Sequence, residues 1–451
     1  MFDHLFTTDR MRAIVSDSAR MQAMLDFEAA LARAEARAGM MSEEIAEAIA
    51  ARCHADHFED EVATLAEATA TAGNPAIPLI AALTAQVAAD DAEAARYVHW
   101  GATSQDVMDT GLVLRLRDAL DALDADLTRL AAACARLAER NADLTMAGRT
   151  WLQQALPITF GVKAAGWLSA VNRHRERLRQ LRPRVLVAQL GGAVGTLAAF
   201  GSQGLMVAQA LADDLGLALP DVPWHAHRDR LVEVATTLGS LVGTLGKMAR
   251  DISLLAQTEV GEAFEPAEPG KGASSTMPQK RNPVGASVAL AAAVRVPGLV
   301  ATMLAAMPQE HERGLGGWQA EWETLPEILR LTAGALWQMT QVAEGLELDA
   351  DRMRANLDIT KGVICAEAVA MALVPTLGKA TAHRVVEDAC RQALARDVPL
   401  RAVLAENPQV TEILSADTLD RLCDPRNAIG LADQLIQRAL AQHIGGALNE
   451  S

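Results

Sequence analysis

Apolar residues recur along this chain with the period of a helix, and in two stretches they do so without a break. Leu116, Leu120, Leu123, Leu127, Leu130, Cys134 and Leu137 follow at spacings of 4, 3, 4, 3, 4 and 3. Leu231, Val234, Leu238, Leu241, Leu245, Met248, Ile252 and Leu255 form a second such series. A repeat of this kind keeps one seam of a helix facing a partner, so both stretches predict long helices packed as in a coiled coil. At 1.5 Å per residue each spans roughly 40 Å and needs neighbours of similar length. A bundle supplies them, within one chain or between several. Residues 10–51 also read as helix, with Ala, Leu and Met on one face and Arg, Asp and Glu on the other. Asn74-Pro75 and Pro78 interrupt the next run. From about residue 360 the helices shorten, with Pro375, Pro399 and Pro408 between them, which predicts a separate small C-terminal domain. The expected fold class is all-α.

Composition sharpens this picture. Half of the 451 residues are hydrophobic but only 3% are aromatic, so Ala and Leu carry the core and closely packed helices are favoured over a sheet. A formal charge of −16 argues against a nucleic-acid partner or an anionic membrane surface. Cys53, Cys134, Cys365, Cys390 and Cys423 are scattered with no CxxC spacing, which suits reduced thiols in a cytoplasmic protein. The N-terminus lacks the apolar run of a signal peptide. The most apolar segment, 284–307, contains Arg295 and Pro297 and reads as a buried helix rather than a membrane span.

Between the helices lie four polar stretches, 99–106, 148–154, 270–283 and 309–322, rich in hydroxyls, amides and cations. The third is Gly-Lys-Gly-Ala-Ser-Ser-Thr-Met-Pro-Gln-Lys-Arg-Asn-Pro, a loop by its Gly, Ser and Pro content. Loops of this length in compact domains are uncommon and usually functional, although a mobile surface linker has the same composition. Thr103 or Ser104 is placed to cap the helix that follows. Residues 185–196 form an apolar run ending in glycines, with Asp213 and Asp214 beyond. No βαβ alternation surrounds it, so a glycine loop near the site fits better than a dinucleotide fold. His225 and His227 form a His-x-His pair without a third ligand, which favours a loop over zinc. Neither a metal nor an organic cofactor site is legible.

Three of these stretches resemble signature regions of the fumarase/aspartase superfamily. Ser274-Ser275-Thr276-Met277-Pro278-Gln279-Lys280-Arg281-Asn282 is similar to its Ser-Ser-x-Met-Pro-x-Lys-x-Asn loop, with Ala273 where the family has Gly. Gly101-Ala102-Thr103-Ser104-Gln105-Asp106 is similar to its first region and Gly148-Arg149-Thr150-Trp151-Leu152-Gln153 to its second, where Trp151 replaces a family His. Asp424-Pro425 through Gly430 resembles a turn on the adenylosuccinate lyase side. The resemblance implies three all-α domains, at 1–111, 112–359 and 360–451, with a central bundle of long helices. It also implies a homotetramer whose active sites each draw on three subunits.

The shared chemistry of the superfamily removes a proton beside a carboxylate, through an aci-carboxylate intermediate. That step needs a base, and cations and donors on the carboxylate. By resemblance Ser274 is the base, its anion supported by Lys280, and Thr103, Ser104, Lys280 and Asn282 hold carboxylates. Arg149, Thr150, Trp151 and Gln153 join the substrate site, with Arg313 a further cation and Arg149 and Arg281 in reserve. An indole moves no proton, so Trp151 points to a leaving group that needs no acid. A carboxylate, with a conjugate-acid pKa of about 4, is such a group. Reversible closure of a muconate to a lactone fits. The N-terminal region and the 309–323 stretch resemble the branch that closes the tricarboxylate 3-carboxy-cis,cis-muconate. Adenylosuccinate- or argininosuccinate-type lyase activity is the alternative, and a helical scaffold without activity a third. For Trp151 itself the other reading is plain core packing.

Overall fold

Both apolar seams are buried as their spacing requires. In the computed structural model the first lies on the helix Ser104–Arg140 and the second on Asp229–Leu255. From Leu116 to Cys134 the first seam is fully buried, and so is every member of the second. The structure describes residues 2–267, 270, 272–273, 276–277 and 280–448. Five helices of 22 to 37 residues dominate it: these two with Phe160–Val185, Val284–Ala305 and Gly317–Glu344. The stretch 10–51 is three helices rather than one, Asp9–Ile14, Asp17–Arg37 and Glu43–Ala50. Thr8, Ser16 and Ser42 cap them with side-chain oxygens, which is why the chain restarts there.

The chain forms two compact units. One contains residues 1–126, 174–245 and 288–337. Its core gathers Phe27, Leu31, Ile49, Phe58 and Leu83 from the N-terminal helices with Leu190, Phe200 and Leu211. The other contains 127–173, 246–287 and 338–451. It holds an antiparallel hairpin, Thr145–Thr150 with Gln153–Thr159, and a short ladder of Ala263–Phe264 with Glu347–Leu348. A separate core built from residues 369–419 occupies its C-terminal part.

The apolar helix Val284–Ala305 departs from the sequence reading. It runs on through Pro297 and is long and apolar enough to cross a membrane, yet only 28% of its most apolar window is buried. Val288, Ala289, Ala292, Val296 and Met303 face inward, whereas Val294 is 80% exposed. The stretch is therefore buried on one face only.

The N-terminal core also encloses acid. Glu28 and Glu35 are buried on one helix; Glu28 meets the His99 ring at 2.7 Å, but among the described residues neither Glu35 oxygen has a partner. Burial, and secondarily Glu28, push the Glu35 carboxyl up to about 9. An acid whose pKa rises on folding favours the folded state at low pH, and that contribution is lost as pH climbs from 4.5 to about 9. Glu35→Gln should therefore gain on the wild type by up to about 1.4 kcal/mol per pH unit across that window. Denaturation midpoints of both proteins at pH 5 to 9 check this; parallel curves would place an ionised Glu35 in the core.

Candidate active site

The first unit draws three of its loops onto one carboxylate. Asp106 is fully buried in the first turn of Ser104–Arg140. It accepts from the Thr103 N–H at 3.0 Å, the Gly191 and Gly192 N–H groups at 2.9 Å, and His225 Nε2 at 2.6 Å. The cap of this helix is thus Asp106 reaching back, not the Thr103 or Ser104 hydroxyl. Among the described residues neither hydroxyl has a hydrogen-bond partner, so both are available to a ligand. Gly192 has φ +69°, and a Cβ there would stand 2.9 Å from the Gly101 carbonyl oxygen, so the two loops approach this closely only with glycine.

One turn further along the same helix a second buried network adds the 309–322 stretch. Asp109 accepts from Arg228 at 2.6 and 2.9 Å, from Gln105 at 3.1 Å and from Trp318 Nε1 at 3.3 Å. The other side of the Arg228 guanidinium meets Glu321 at 2.6 to 3.1 Å. Burial works against the Arg228 charge, and the two carboxylates more than offset it. Arg313 donates to the Ala193 carbonyl at 2.8 Å, which brings it to the glycine loop.

The second unit holds the other two stretches. Residues 148–154 form the hairpin turn, in which Trp151 and Leu152 both have positive φ, +51° and +65°. A two-residue turn of this form normally takes Asn-Gly, and two bulky residues there are strained. Trp151 is 98% exposed, so it is not packed in the core of this chain. Thr150 and Gln153 pair across the base of the turn. Arg149 is not a free cation: it forms a two-pronged pair with the fully buried Glu262 at 2.7 and 2.8 Å, which Asn356 also holds at 2.7 Å.

At the root of the signature loop the Glu265 carboxylate accepts from the Gly285 and Ala286 N–H groups at 2.9 and 2.7 Å, capping Val284–Ala305. Asn282 closes the loop, its backbone and side-chain N–H groups both donating to the Gly272 carbonyl at 3.0 Å. A Cβ on Gly272 would fall 2.4 Å from the Asn282 oxygen. Positive φ is needed at Gly270 and Gly272 and not at Ala273, so the departure from the family pattern is harmless. Arg281, held in reserve as a substrate cation, is committed to Glu347 at 3.0 Å and the Glu265 carbonyl at 2.7 Å. Lys280 is exposed and, with Asn282, lines a recess of about 200 Å³. Ser274 and Ser275 lie outside the described residues. Among those described, no group of three or more His, Cys, Asp or Glu is arranged for a metal.

Sequence reading missed Asp106, His225, Glu262 and Glu265 as the groups that fix these loops. Only Asp106 had a signal, its place in the Thr-Ser-x-Asp pattern.

A model of a lyase family matches residues 5–298, and one described as adenylosuccinate lyase C-terminus matches 362–439. The chain belongs to the fumarase/aspartase superfamily of lyases. Within the superfamily it is similar to 3-carboxy-cis,cis-muconate cycloisomerase of Pseudomonas aeruginosa, at 59% identity over 98% of this chain and 96% of that protein. The solved 3-carboxy-cis,cis-muconate lactonizing enzyme of Pseudomonas putida superposes with a TM-score of 0.94 at 55% identity, covering 99% of both chains. The β-carboxy-cis,cis-muconate cycloisomerase of Acinetobacter calcoaceticus does so at 0.93 and 43%, covering 98% and 99%. The expected fold is therefore the one found.

Replacing Arg228 with Met should leave Asp109 and Glu321 buried without their cation and cost about 3–5 kcal/mol. Chemical denaturation at fixed protein concentration measures it. A loss below about 1 kcal/mol would mean that the two carboxyls relax or take up protons at little cost.

Proposed function

We propose that the chain is a 3-carboxy-cis,cis-muconate cycloisomerase, interconverting 3-carboxy-cis,cis-muconate and 2-carboxy-5-oxo-2,5-dihydrofuran-2-acetate. The observation that carries this is Trp151, an indole held out on a strained turn where proton-handling members of the superfamily have imidazole. Near-full-length similarity to cycloisomerases supports it.

In the lactonising direction an ionised substrate carboxylate adds to the conjugated double bond and forms the ring C–O bond. The neighbouring carbon, beside another carboxylate, takes a proton. No base is needed for the nucleophile at pH 7, because a carboxylate is already ionised. Ser274 supplies the proton and, in reverse, removes it, with Lys280 supporting its anion. Thr103 and Ser104, whose hydroxyls are unengaged, bind one carboxylate, and Asn282 and Lys280 another. Arg313 supplies the guanidinium, which suits two-pronged carboxylate binding. Trp151 packs on the flat diene or lactone, flanked by Thr150 and Gln153. Arg149 serves by holding the hairpin to Glu262 rather than by touching substrate.

The active assembly in this reading is a homotetramer with sites shared between subunits. The exposed Trp151 and the apolar outer face of Val284–Ala305 support it, since each calls for a covering partner. Sedimentation velocity giving a monomer at micromolar concentration would overturn it. The division at 1–111, 112–359 and 360–451 is kept as part of the proposal, supported at its second boundary by the separate core of 369–419. Unpaired cysteines suit a cytoplasmic enzyme.

Closure of the ring destroys the conjugated diene, so the ultraviolet absorbance of 3-carboxy-cis,cis-muconate should fall on adding enzyme. No change with folded protein would turn attention to argininosuccinate and adenylosuccinate. Ser274→Ala should slow turnover by orders of magnitude at unchanged stability, and Arg313→Ala should mainly raise KM. If Ser275→Ala is the damaging change, the acid–base assignment moves by one residue.

A further inference from the structure

The largest chemical oddity of the first unit lies away from its hydroxyls and glycine loop. Arg115, three turns along Ser104–Arg140, is only 9% exposed, and no ion pair or hydrogen bond engages its guanidinium among the described residues. Its Nε is buried without an acceptor. A buried charge without a partner costs several kcal/mol, and proteins keep one where something arrives to pair with it.

Arg115 lines a cavity of about 370 Å³. The walls are mostly apolar and include Met21, Met24, Leu65, Leu79, Met108 and Leu112. Trp318 and Trp322 form one side, edge to face at 5.0 Å, and Trp322 Nε1 is a second buried donor without an acceptor among the described residues. Among the described residues no carboxylate on the lining pairs directly with Arg115. Asp109 and Glu321 are taken by Arg228. Asp17 and Glu323 have side chains 83% and 89% exposed and lie loosely by Arg20 at 3.6 and 3.7 Å. Burial, and then the nearby Arg20, bring the Arg115 guanidinium down to about 9, against a smaller opposing pull from Asp17 and Glu323.

We propose that this cavity binds a small apolar monocarboxylate, its carboxylate on Arg115 and Trp322 Nε1 and its hydrocarbon body against the methionines, leucines and indoles. One anionic head suits one unpaired cation, and the apolar lining rejects a tricarboxylate. The site is therefore chemically distinct from the one that Thr103, Ser104 and Arg313 offer, and it does not depend on the proposed reaction.

Titration calorimetry of the full-length protein with benzoate and with hexanoate tests this, the two probes distinguishing an aromatic from an aliphatic ligand. At least one should bind at one site per chain, and benzyl alcohol, the neutral counterpart, much more weakly. Arg115→Met should weaken binding by about tenfold or more, the loss expected for a charge-assisted hydrogen bond. Leu112→Trp, which fills the cavity, should abolish it, and Thr103→Ala should leave it unchanged. Without ligand, Arg115→Met should melt no lower than the wild type, because it removes an uncompensated charge. The proposal fails if neither acid binds, if binding survives Leu112→Trp, or if it is lost in Thr103→Ala and kept in Arg115→Met.

Discussion

Four donors meet on Asp106, and the geometry of the first unit depends on that convergence. Burying a carboxylate costs least when its oxygens are fully engaged, and those of Asp106 are engaged by three separate stretches of chain. The first turn of a long helix, the 191–192 glycine pair and the loop before Asp229 are held in one place by one side chain. Because Asp106 takes over capping, the Thr103 and Ser104 hydroxyls are left free at the helix start, where the dipole favours an anion. The same constraint that closes the fold thus leaves two hydroxyls free where the proposed reaction needs a carboxylate held.

The second unit uses the same device. Glu262 and Glu265 stand on either side of a two-residue strand. One holds the hairpin through Arg149 and the other holds the start of Val284–Ala305 through two backbone N–H groups. With its base fixed, the hairpin tip can carry strain and exposure that would otherwise be lost to rearrangement. Trp151 is the clearest product: a large apolar residue in a left-handed conformation, held out to solvent. The arginines that the motifs suggest differ in whether they are already paired. Arg149 and Arg281 already have carboxylate partners, whereas Arg313 is anchored to a carbonyl and, among the described residues, to no carboxylate.

Much of this was legible before any coordinates. The 3–4 spacing of Leu and its substitutes predicts long helices with one buried seam, because a period of this kind leaves a helix no other stable way to hide its apolar face. The loop composition and motif residues mark the functional stretches, and Trp151 marks the departure that narrows the chemistry. These are local properties, carried by residues near one another in sequence. The breaks at Thr8, Ser16 and Ser42 are local too, but helical periodicity on both sides conceals them.

Tertiary structure alone decided which polar groups are engaged and which are free. Asp106 with Gly191 and His225, Arg149 with Glu262, and Arg228 with Asp109 and Glu321 are pairs separated by 85 to 119 residues, and pairing at such range leaves no period to read. Exposure was equally hidden. An apolar 284–307 segment reads as buried because composition is blind to direction, yet one of its faces is exposed. Arg115 is the extreme case: as a sequence position it is one more arginine on an amphipathic helix, and only the packing around it leaves its guanidinium without an ion pair or hydrogen bond among the described residues.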